Sequence, residues 1–275
     1  MRSTPPGAVC ATAHSPRRAA ERVRRVPARL YGASLSYPSL AARAMLEHKG
    51  IEHDWVALTP GAHPFQLRLA GFRGGTVPAL KLDGRRVVGS RGIARMIDAV
   101  EPEPALFPAD PARRRAVEEA EAWGDAVLQP IPRRLLRWAI RRRPDTRVTL
   151  ARVFGSGSPE LAGRLMAPMA AFLARREDAR STDRIRADWA ALPAHLDRVD
   201  ELIASGVIGT PDPNAADFQI GGTLRAMLQF DDYEPLMSGR PLEQLARRAL
   251  ADYPYRIPPL VHLATGGVAP PGSSG

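Results

Sequence analysis

The chain has 275 residues, of which 44% are apolar and 25% charged, and its formal net charge at pH 7 is +10. This length and apolar content are sufficient for one large or two small globular domains with a buried core. The only cysteine is Cys10, which excludes an intramolecular disulfide, a Cys-x-x-Cys redox pair and a cysteine-rich zinc site. No apolar run approaches the roughly 18 residues needed to cross a bilayer, so we expect a soluble, cytoplasmic protein with no membrane partner.

Half of the excess positive charge lies in the N-terminal segment. Residues 1–28 contain six arginines against one acidic residue, Glu21, which is a net charge of +5. Because this segment is rich in Ala, Pro and Ser and lacks helix or strand periodicity, we expect a disordered tail, with a targeting role as the minority alternative. The remaining basic residues are spread along the chain and are almost all arginine, so nucleic acid is not favoured as a partner.

Between residues 29 and 100 the pattern alternates between strands and helices. Strands are predicted at 29–33, 53–58, 78–82 and 85–88, and helices from 38 or 39 to 49, around 64–70, and from a cap at Ser90 to about 100. Asp83-Gly84 joins two of the strands and favours a type I′ hairpin turn. The order β-α-β-α-β-β-α predicts a compact α/β unit with a mixed sheet.

The rest of the chain predicts an all-α domain. Residues 101–111, EPEPALFPADP, contain four prolines, which stiffen the segment and stop helix propagation, so we expect a linker there. Helical patterns follow at 112–143, with a break near Pro130 and Pro132, and then at 159–176, 183–205, 215–229 and 242–252. We therefore expect a helical domain over residues 112–262 and a second disordered tail at 263–275.

Four stretches resemble the soluble glutathione S-transferase family. SYPSLAARAMLEHKGI is similar to the first turn and helix of the family, and GGTVPALKLDG is similar to its Val-Pro strand. GSRGIARMID is similar to the Ser-containing start of a family helix, and NAADFQIGGTLRAML is similar to the capping box of a bundle helix. The resemblance covers roughly residues 29–260 and implies a thioredoxin-like domain at 29–100 followed by an all-helical domain, an α/β plus all-α fold class. It also implies a homodimer that takes glutathione as the thiol substrate and a hydrophobic electrophile as the second. The six histidines show no ligand spacing, and no metal is expected.

The resemblance places a thiol-binding site at Val77, Pro78, Ser90 and Arg91. In the family the proline is cis, which would let the backbone of Val77 pair with the cysteinyl part of glutathione; the alternative is a trans proline that opens an edge strand. The Ser90 hydroxyl and the N–H groups of its helix suit the γ-glutamyl carboxylate, although an ordinary N-cap gives the same pattern. The family usually has Glu or Asp before this serine, whereas this chain has Gly89, so another anionic thiol, or none, remains open.

The stretch SYPS supplies the candidate catalytic residues. By register, Ser36 falls where serine- and cysteine-type members keep their catalytic residue, and Ser39 falls on the second cysteine of Cys-x-x-Cys relatives. A hydroxyl that donates to sulfur, aided by the positive end of a helix, favours the thiolate of a group whose pKa is near 8.5. Tyr37 is a second candidate catalytic donor, and Ser34 and Tyr31 are nearby rivals. The alternative is that Ser36 and Ser39 only cap the helix.

A run of arginines follows the predicted helix break. Arg133, Arg137 and Arg141 share one helix face, and we expect a solvated basic face rather than a binding surface. The alternative is a surface that attracts acidic substrates or lines a dimer cleft. Three tryptophans on predicted helices are expected in the core: Trp123, Trp138 and Trp189.

The leading hypothesis is a glutathione S-transferase-like enzyme in which Ser36 stabilises a bound thiolate. The thiolate attacks an electrophilic carbon of a hydrophobic substrate held between the domains. Two alternatives remain: a non-enzymatic member of the fold that serves as a binding module, which Gly89 and the missing cysteines favour, and a thiol-dependent isomerase that uses the same site. A serine hydrolase is unsupported because the sequence has no Gly-x-Ser-x-Gly elbow.

Overall fold

The computed structural model describes residues 28–34, 36–59, 61–153, 155–175, 179–250 and 256–266. The expected N-terminal tail up to residue 27, with Cys10, and the expected C-terminal tail from residue 267 onward lie outside the described residues. Ala28, which was expected in the tail, begins the first strand.

A four-stranded mixed sheet with three helices forms the N-terminal domain. Its elements are β1 (Ala28–Gly32), α1 (Tyr37–His48), β2 (His53–Ala57), α2 (His63–Leu69), β3 (Ala79–Leu82), β4 (Arg85–Val88) and α3 (Ser90–Val100). The strand order is β2-β1-β3-β4, in which β1 is parallel to β2 and antiparallel to β3, and β3 is antiparallel to β4. The predicted order of elements and the mixed sheet are confirmed.

The turn between β3 and β4 has the geometry that its sequence predicts. Asp83 and Gly84 have φ angles of 48° and 76°, and a type I′ turn requires positive φ at both central residues. The start of α3 differs from the prediction by one residue. Ser90 is the first helical residue, and the N-cap position belongs to Gly89, with φ 89° and ψ 143°. The prediction that Ser90 caps this helix is therefore wrong, and its hydroxyl is not used for capping.

The C-terminal domain is helical. Its elements are α4 (Pro111–Trp123), a π-helical turn (Gly124–Leu128), α5 (Pro130–Arg142), α6 (Pro144–Val153), α7 (Pro159–Leu165), α8 (Ala167–Leu173), α9 (Thr182–Ala204), α10 (Ala215–Met227), α11 (Glu234–Met237), α12 (Pro241–Ala249) and α13 (His262–Thr265). The predicted break in the long first helix is confirmed as the π-helical turn, which ends just before Pro130.

Three other features of this domain differ from the sequence prediction. Helix α6 was missed because Thr and Val, which have modest helix propensity, interrupt its pattern. The single helix expected at 159–176 is divided into α7 and α8 at Met166, since Pro168 lies in the first turn of α8. Helix α13 extends into the segment expected to be a tail.

Helix α10 lies at the centre of the molecule, and all of its residues are buried. It contacts α4 and α12 of its own domain and α1 of the N-terminal domain. The approach to α1 is close because Gly222 has no side chain: an added Cβ would lie 3.3 Å from the Cβ of Ala41. The predicted capping box is confirmed, since the Asn214 side chain accepts from the backbone of Asp217 and the Asp217 side chain accepts from the backbone of Asn214.

One hydrophobic core therefore spans both domains. It includes Leu30 and Ile97 of the N-terminal domain together with Leu135 and Leu224 of the helical domain. The three tryptophans pack in or against this core as predicted: Trp138 is buried, and Trp123 and Trp189 are partly buried. Within the described part of the chain, no helix combines the length and the apolar content that a bilayer span requires.

The linker is tied to the N-terminal domain by a buried lysine. The Lys49 side chain is 0% exposed, and its Nζ donates to Asp98 Oδ1 at 2.6 Å and to the carbonyl oxygens of Glu101 and Pro102 at 2.7 and 3.2 Å. These three bonds connect α1, α3 and the start of the linker, and they thereby fix how the helical domain leaves the sheet.

Candidate functional site

A cleft of about 510 Å³ lies between the two domains. Three loops of the N-terminal domain reach it: the segment that enters α1, the segment before β3, and the turn between β4 and α3. All six site residues that the sequence predicted line this cleft: Ser36, Tyr37, Val77, Pro78, Ser90 and Arg91. The fold therefore brings together residues that are up to 55 positions apart, and their individual roles stay predictions.

Ser36 occupies the N-cap position of α1. Its backbone is fixed on both sides, because its N–H donates to the carbonyl of Ala33 at 2.9 Å and its own carbonyl accepts from Ser39 N and Leu40 N at 2.8 and 3.0 Å. Its side chain, however, makes no capping hydrogen bond, so the interpretation that Ser36 caps the helix through its hydroxyl is wrong. The half-buried hydroxyl instead stands at the positive end of α1 and at the wall of the cleft.

Tyr37 joins the two domains. Its hydroxyl donates to the backbone oxygen of Gln129 at 2.6 Å, and its ring packs against Ala226 and Leu250 of the helical domain. The other two rival donors are elsewhere: Ser34 is exposed, Tyr31 is buried in a core cluster of the N-terminal domain, and neither lines the cleft. Ser36 is therefore the best placed of the candidate hydroxyls.

The peptide bond between Val77 and Pro78 is cis, as predicted. The carbonyl of Pro78 accepts from the N–H of Gly89 at 2.8 Å, which connects the start of β3 to the start of α3. This bond holds the Val-Pro segment beside the turn that carries Ser90.

Gly89 is glycine for reasons of conformation. Its φ of 89° with ψ of 143° is a region that residues with a Cβ rarely adopt. Space is not the constraint, because an added Cβ would meet nothing within 4 Å. Next to it, Ser90 is buried against the cleft wall, and the side chain of Arg91 is 41% exposed.

A buried carboxylate of the helical domain holds the Arg91 side chain. Glu121 is 2% exposed and pairs with Arg95 Nη1 at 2.8 Å and with Arg91 Nε at 3.4 Å. Burial raises the pKa of Glu121, and the hydrogen bond from Arg95 and the charge of both arginines oppose that rise. Sequence reasoning missed Glu121, since nothing in its local pattern marks it as buried.

The π-helical turn supplies polar groups on the opposite wall. Asp125 and Gln129 both line the cleft, and Gln129 Nε2 donates to Asp125 Oδ1 at 3.0 Å. The side-chain oxygen of Gln129 in turn accepts from Gln219 Nε2, on the central helix α10, at 3.0 Å. The extra residue of a π-helical turn locally changes the direction of side chains, and the only sequence signal for it was the proline-marked break.

The arginine run does not form a solvated face. Arg133 and Arg137 are half-buried and line the cleft, and Arg134 is 6% exposed and pairs through Nη2 with Asp188 Oδ1 at 2.9 Å. Arg141 is exposed as predicted, and so is Arg142. The solvated-face prediction is wrong for Arg133 and Arg137 because α5 packs between the cleft and α9.

Apolar side chains complete the wall that the helical domain contributes. They are Pro132, Leu136, Ala226, Phe230 and Ile257. Such a surface suits an apolar molecule placed next to the polar groups of the N-terminal domain. Over the ranges that the structure describes, no group of three or more His, Cys, Asp or Glu side chains could hold a metal ion.

Comparison with known proteins identifies the N-terminal domain and the overall fold. Residues 30–105 match the profile of the glutathione S-transferase N-terminal domain. None of the curated proteins matches the chain. A glutathione S-transferase from Rhodospirillum rubrum F11 is similar in structure, with 22% identity and a TM-score of 0.54 over 86% of this chain and 98% of that one.

Two further solved structures share the fold. A theta class glutathione S-transferase from Xanthomonas axonopodis pv. citri with glutathione bound has 19% identity and a TM-score of 0.56, over 83% of this chain and 99% of that one. A beta-etherase from Sphingobium sp. strain SYK-6 has 20% identity and a TM-score of 0.51, over 72% of this chain and 82% of that one. Residues 30–105 therefore belong to the glutathione S-transferase N-terminal domain family, and the chain has the fold of these enzymes, a thioredoxin-like domain followed by a helical domain.

Proposed function

We propose that the protein is a glutathione transferase that holds glutathione as the thiolate and directs it at an electrophilic carbon of a hydrophobic substrate. One observation carries this proposal. Ser36, the Val77–Pro78 cis peptide and Ser90 come from three separate loops and line one cleft, opposite an apolar wall of the helical domain. The glutathione-bound structure with the same fold supports the choice of thiol.

The N-terminal wall of the cleft suits a peptide-like thiol. The backbone of Val77 would pair with the cysteinyl residue, and the Ser90 hydroxyl with the N–H groups at the start of α3 would take a carboxylate. Arg91 adds a guanidinium that Glu121 holds in place. The cleft volume of about 510 Å³ is within the usual range for a small-molecule site.

Ser36 would supply the activating hydrogen bond. Its hydroxyl donates to the sulfur, the positive end of α1 adds to the stabilisation, and the thiol proton leaves to water. The sulfur electron pair then forms a bond to the electrophilic carbon, and the leaving group departs with the electrons of the bond that breaks. Tyr37 would act as a positioning residue, because its hydroxyl donates to Gln129 and so aligns the two walls of the cleft.

The test combines binding and turnover in matched serine variants. Glutathione is titrated calorimetrically into the wild type, Ser36→Ala and Ser90→Ala, and conjugation is followed with an activated aryl halide, from which the halide leaves. We expect Ser90→Ala to weaken binding and Ser36→Ala to lower kcat/KM by about 10- to 100-fold, the effect of losing a hydrogen bond to a charged group. Ser34→Ala, a change of the same kind outside the cleft, should leave both unchanged. Full conjugating activity in Ser36→Ala would contradict the role of Ser36.

A second candidate is a non-enzymatic binding protein or one that takes a different low-molecular-weight thiol. Gly89 favours it, because no acidic side chain stands before Ser90 to pair with the ammonium of a γ-glutamyl group. Saturable glutathione binding without turnover would support a non-enzymatic binding protein. Turnover with another thiol, but not with glutathione, would support an enzyme that uses a different thiol. Isomerisation with the thiol as cofactor would use the same site. Homodimerisation and a cytoplasmic location stay predictions, and light scattering of the purified protein tests the first.

A further inference from the structure

Ser39 makes a hydrogen bond that neither helix formation nor core packing requires. It is the third residue of α1, its side chain is fully buried, and its Oγ forms a hydrogen bond with Ser36 Oγ at 3.0 Å. A serine inside a helix commonly points its hydroxyl to solvent or turns it back onto a carbonyl of the preceding turn. Here the hydroxyl points instead at the side chain that lines the cleft.

The position of Ser39 is fixed by close packing against β1. An added Cβ on Gly32 would lie 2.9 Å from the Cβ of Ser39, so the absence of a side chain at Gly32 lets Ser39 lie directly against the strand. The backbone N–H of Ser39 also donates to the carbonyl of Ser36 at 2.8 Å. Backbone and side chain of Ser39 thus hold both the carbonyl and the hydroxyl of Ser36.

The direction of this bond follows from what Ser36 does in the proposed site. A hydroxyl has one proton to donate, and its oxygen can accept. Either hydroxyl can donate across the 3.0 Å contact, but once Ser36 gives its one proton to a group in the cleft, Ser39 must be the donor. An oxygen that accepts one hydrogen bond also becomes a stronger donor in the next, since bonds in a chain polarise one another.

We infer that Ser39 is a positioning residue, which directs the Ser36 proton into the cleft and strengthens its hydrogen bond to a bound thiolate. This inference rests on the proposed function, since it assigns to Ser39 a part in the same thiol activation. Ser39 does not touch the substrate in this scheme and acts only through Ser36.

The experiment is a double-mutant cycle on the two serines, with glutathione as the bound thiol. The ultraviolet absorbance of the thiolate is recorded against pH for the complexes of wild type, Ser39→Ala, Ser36→Ala and the double variant, together with kcat and KM. We expect Ser39→Ala to raise the pKa of the bound thiol by about 0.5 unit and to lower kcat/KM below that pKa by about threefold, with the KM for glutathione unchanged. In the Ser36→Ala background the same substitution should have no further effect.

Ser39→Cys guards against a trivial loss of structure. It keeps a weak donor of similar size at this packed position, and the bound-thiol pKa should return part of the way to the wild-type value. The inference is overturned if the pKa of glutathione bound to Ser39→Ala equals that in the wild type. It is also overturned if Ser39→Ala changes this pKa as much in the Ser36→Ala background as in the wild type. Failure of the proposed function is a distinct result: wild type that does not bind glutathione, or that has the same bound-thiol pKa as Ser36→Ala.

Discussion

Tyr37→Phe distinguishes two roles of the Tyr37 hydroxyl: a structural hydrogen bond to Gln129 and donation to the bound thiol. The phenylalanine keeps the ring that packs against Ala226 and Leu250, so no cavity forms and the several kcal/mol of a large-to-small substitution do not apply. What is lost is the buried hydrogen bond of 2.6 Å from the hydroxyl to the backbone oxygen of Gln129, together with the long contact of 3.5 Å that the hydroxyl accepts from Arg133 Nε. The net worth of such a bond is about 0.5–1.5 kcal/mol, so we expect the free energy of unfolding to fall by about 1 kcal/mol.

The assay is urea unfolding, combined with the pH titration of bound glutathione. Tyr31→Phe is the matched control, because Tyr31 is also buried and its hydroxyl has no hydrogen-bond partner among the described residues. We expect the control to change the unfolding free energy by less than about 0.5 kcal/mol. In Tyr37→Phe the pKa of the bound thiol should remain close to the wild-type value, since Ser36 supplies the hydrogen bond to sulfur.

One pattern of results would refute this assignment. If Tyr37→Phe has wild-type stability, raises the pKa of the bound thiol and lowers kcat by tenfold or more, the hydroxyl donates to the thiol and not to Gln129. Tyr37 would then be a catalytic residue, as the sequence prediction has it, and Ser36 would lose that role.

Three further predictions concern the surroundings of the cleft. Lys49→Met should lower the free energy of unfolding by about 3–5 kcal/mol, because it leaves Asp98 without its buried partner. Lys81→Met, at the only other lysine, should lower it by less than about 1 kcal/mol. Equal urea midpoints for the two variants would contradict this. Gly89→Ala should lower the free energy of unfolding by about 1–3 kcal/mol because of the positive φ of Gly89, although the space around it is open. Gly157→Ala should have no such effect, because Gly157 has neither a positive φ nor close neighbours. Burial raises the pKa of Glu121, so its contribution to the free energy of unfolding is fully present below the ordinary pKa of 4.5 and is lost as the pH rises through the raised pKa. The unfolding free energy of the wild type, relative to that of Glu121→Gln, should therefore fall from pH 4 to 8. A difference between the two proteins that stays constant with pH would contradict this.

The sequence was sufficient to predict those features whose conformation depends only on residues nearby in the chain. The Asp83-Gly84 turn, the capping box at Asn214 and the break before Pro130 all depend on backbone preferences within a few residues. The same holds for the order of strands and helices, since the periodicity of apolar residues differs between the two. The one-residue error at Ser90 has a local cause as well, because Gly89 can adopt the positive φ at which the helix starts.

The sequence by itself therefore determined the elements, their order and the loops from which Ser36, Val77, Pro78 and Ser90 reach the cleft. Tertiary structure alone decided which side chains those loops meet. Arg133 and Arg137 were expected in solvent, and Asp125, Gln129 and Glu121 carried no signal, yet all of them lie in or directly beside the cleft. The physical reason is that a helix has the same sequence pattern whichever neighbour covers its polar face. Only the packing of α4 and α5 against the N-terminal domain shows that this face is the second wall of the site.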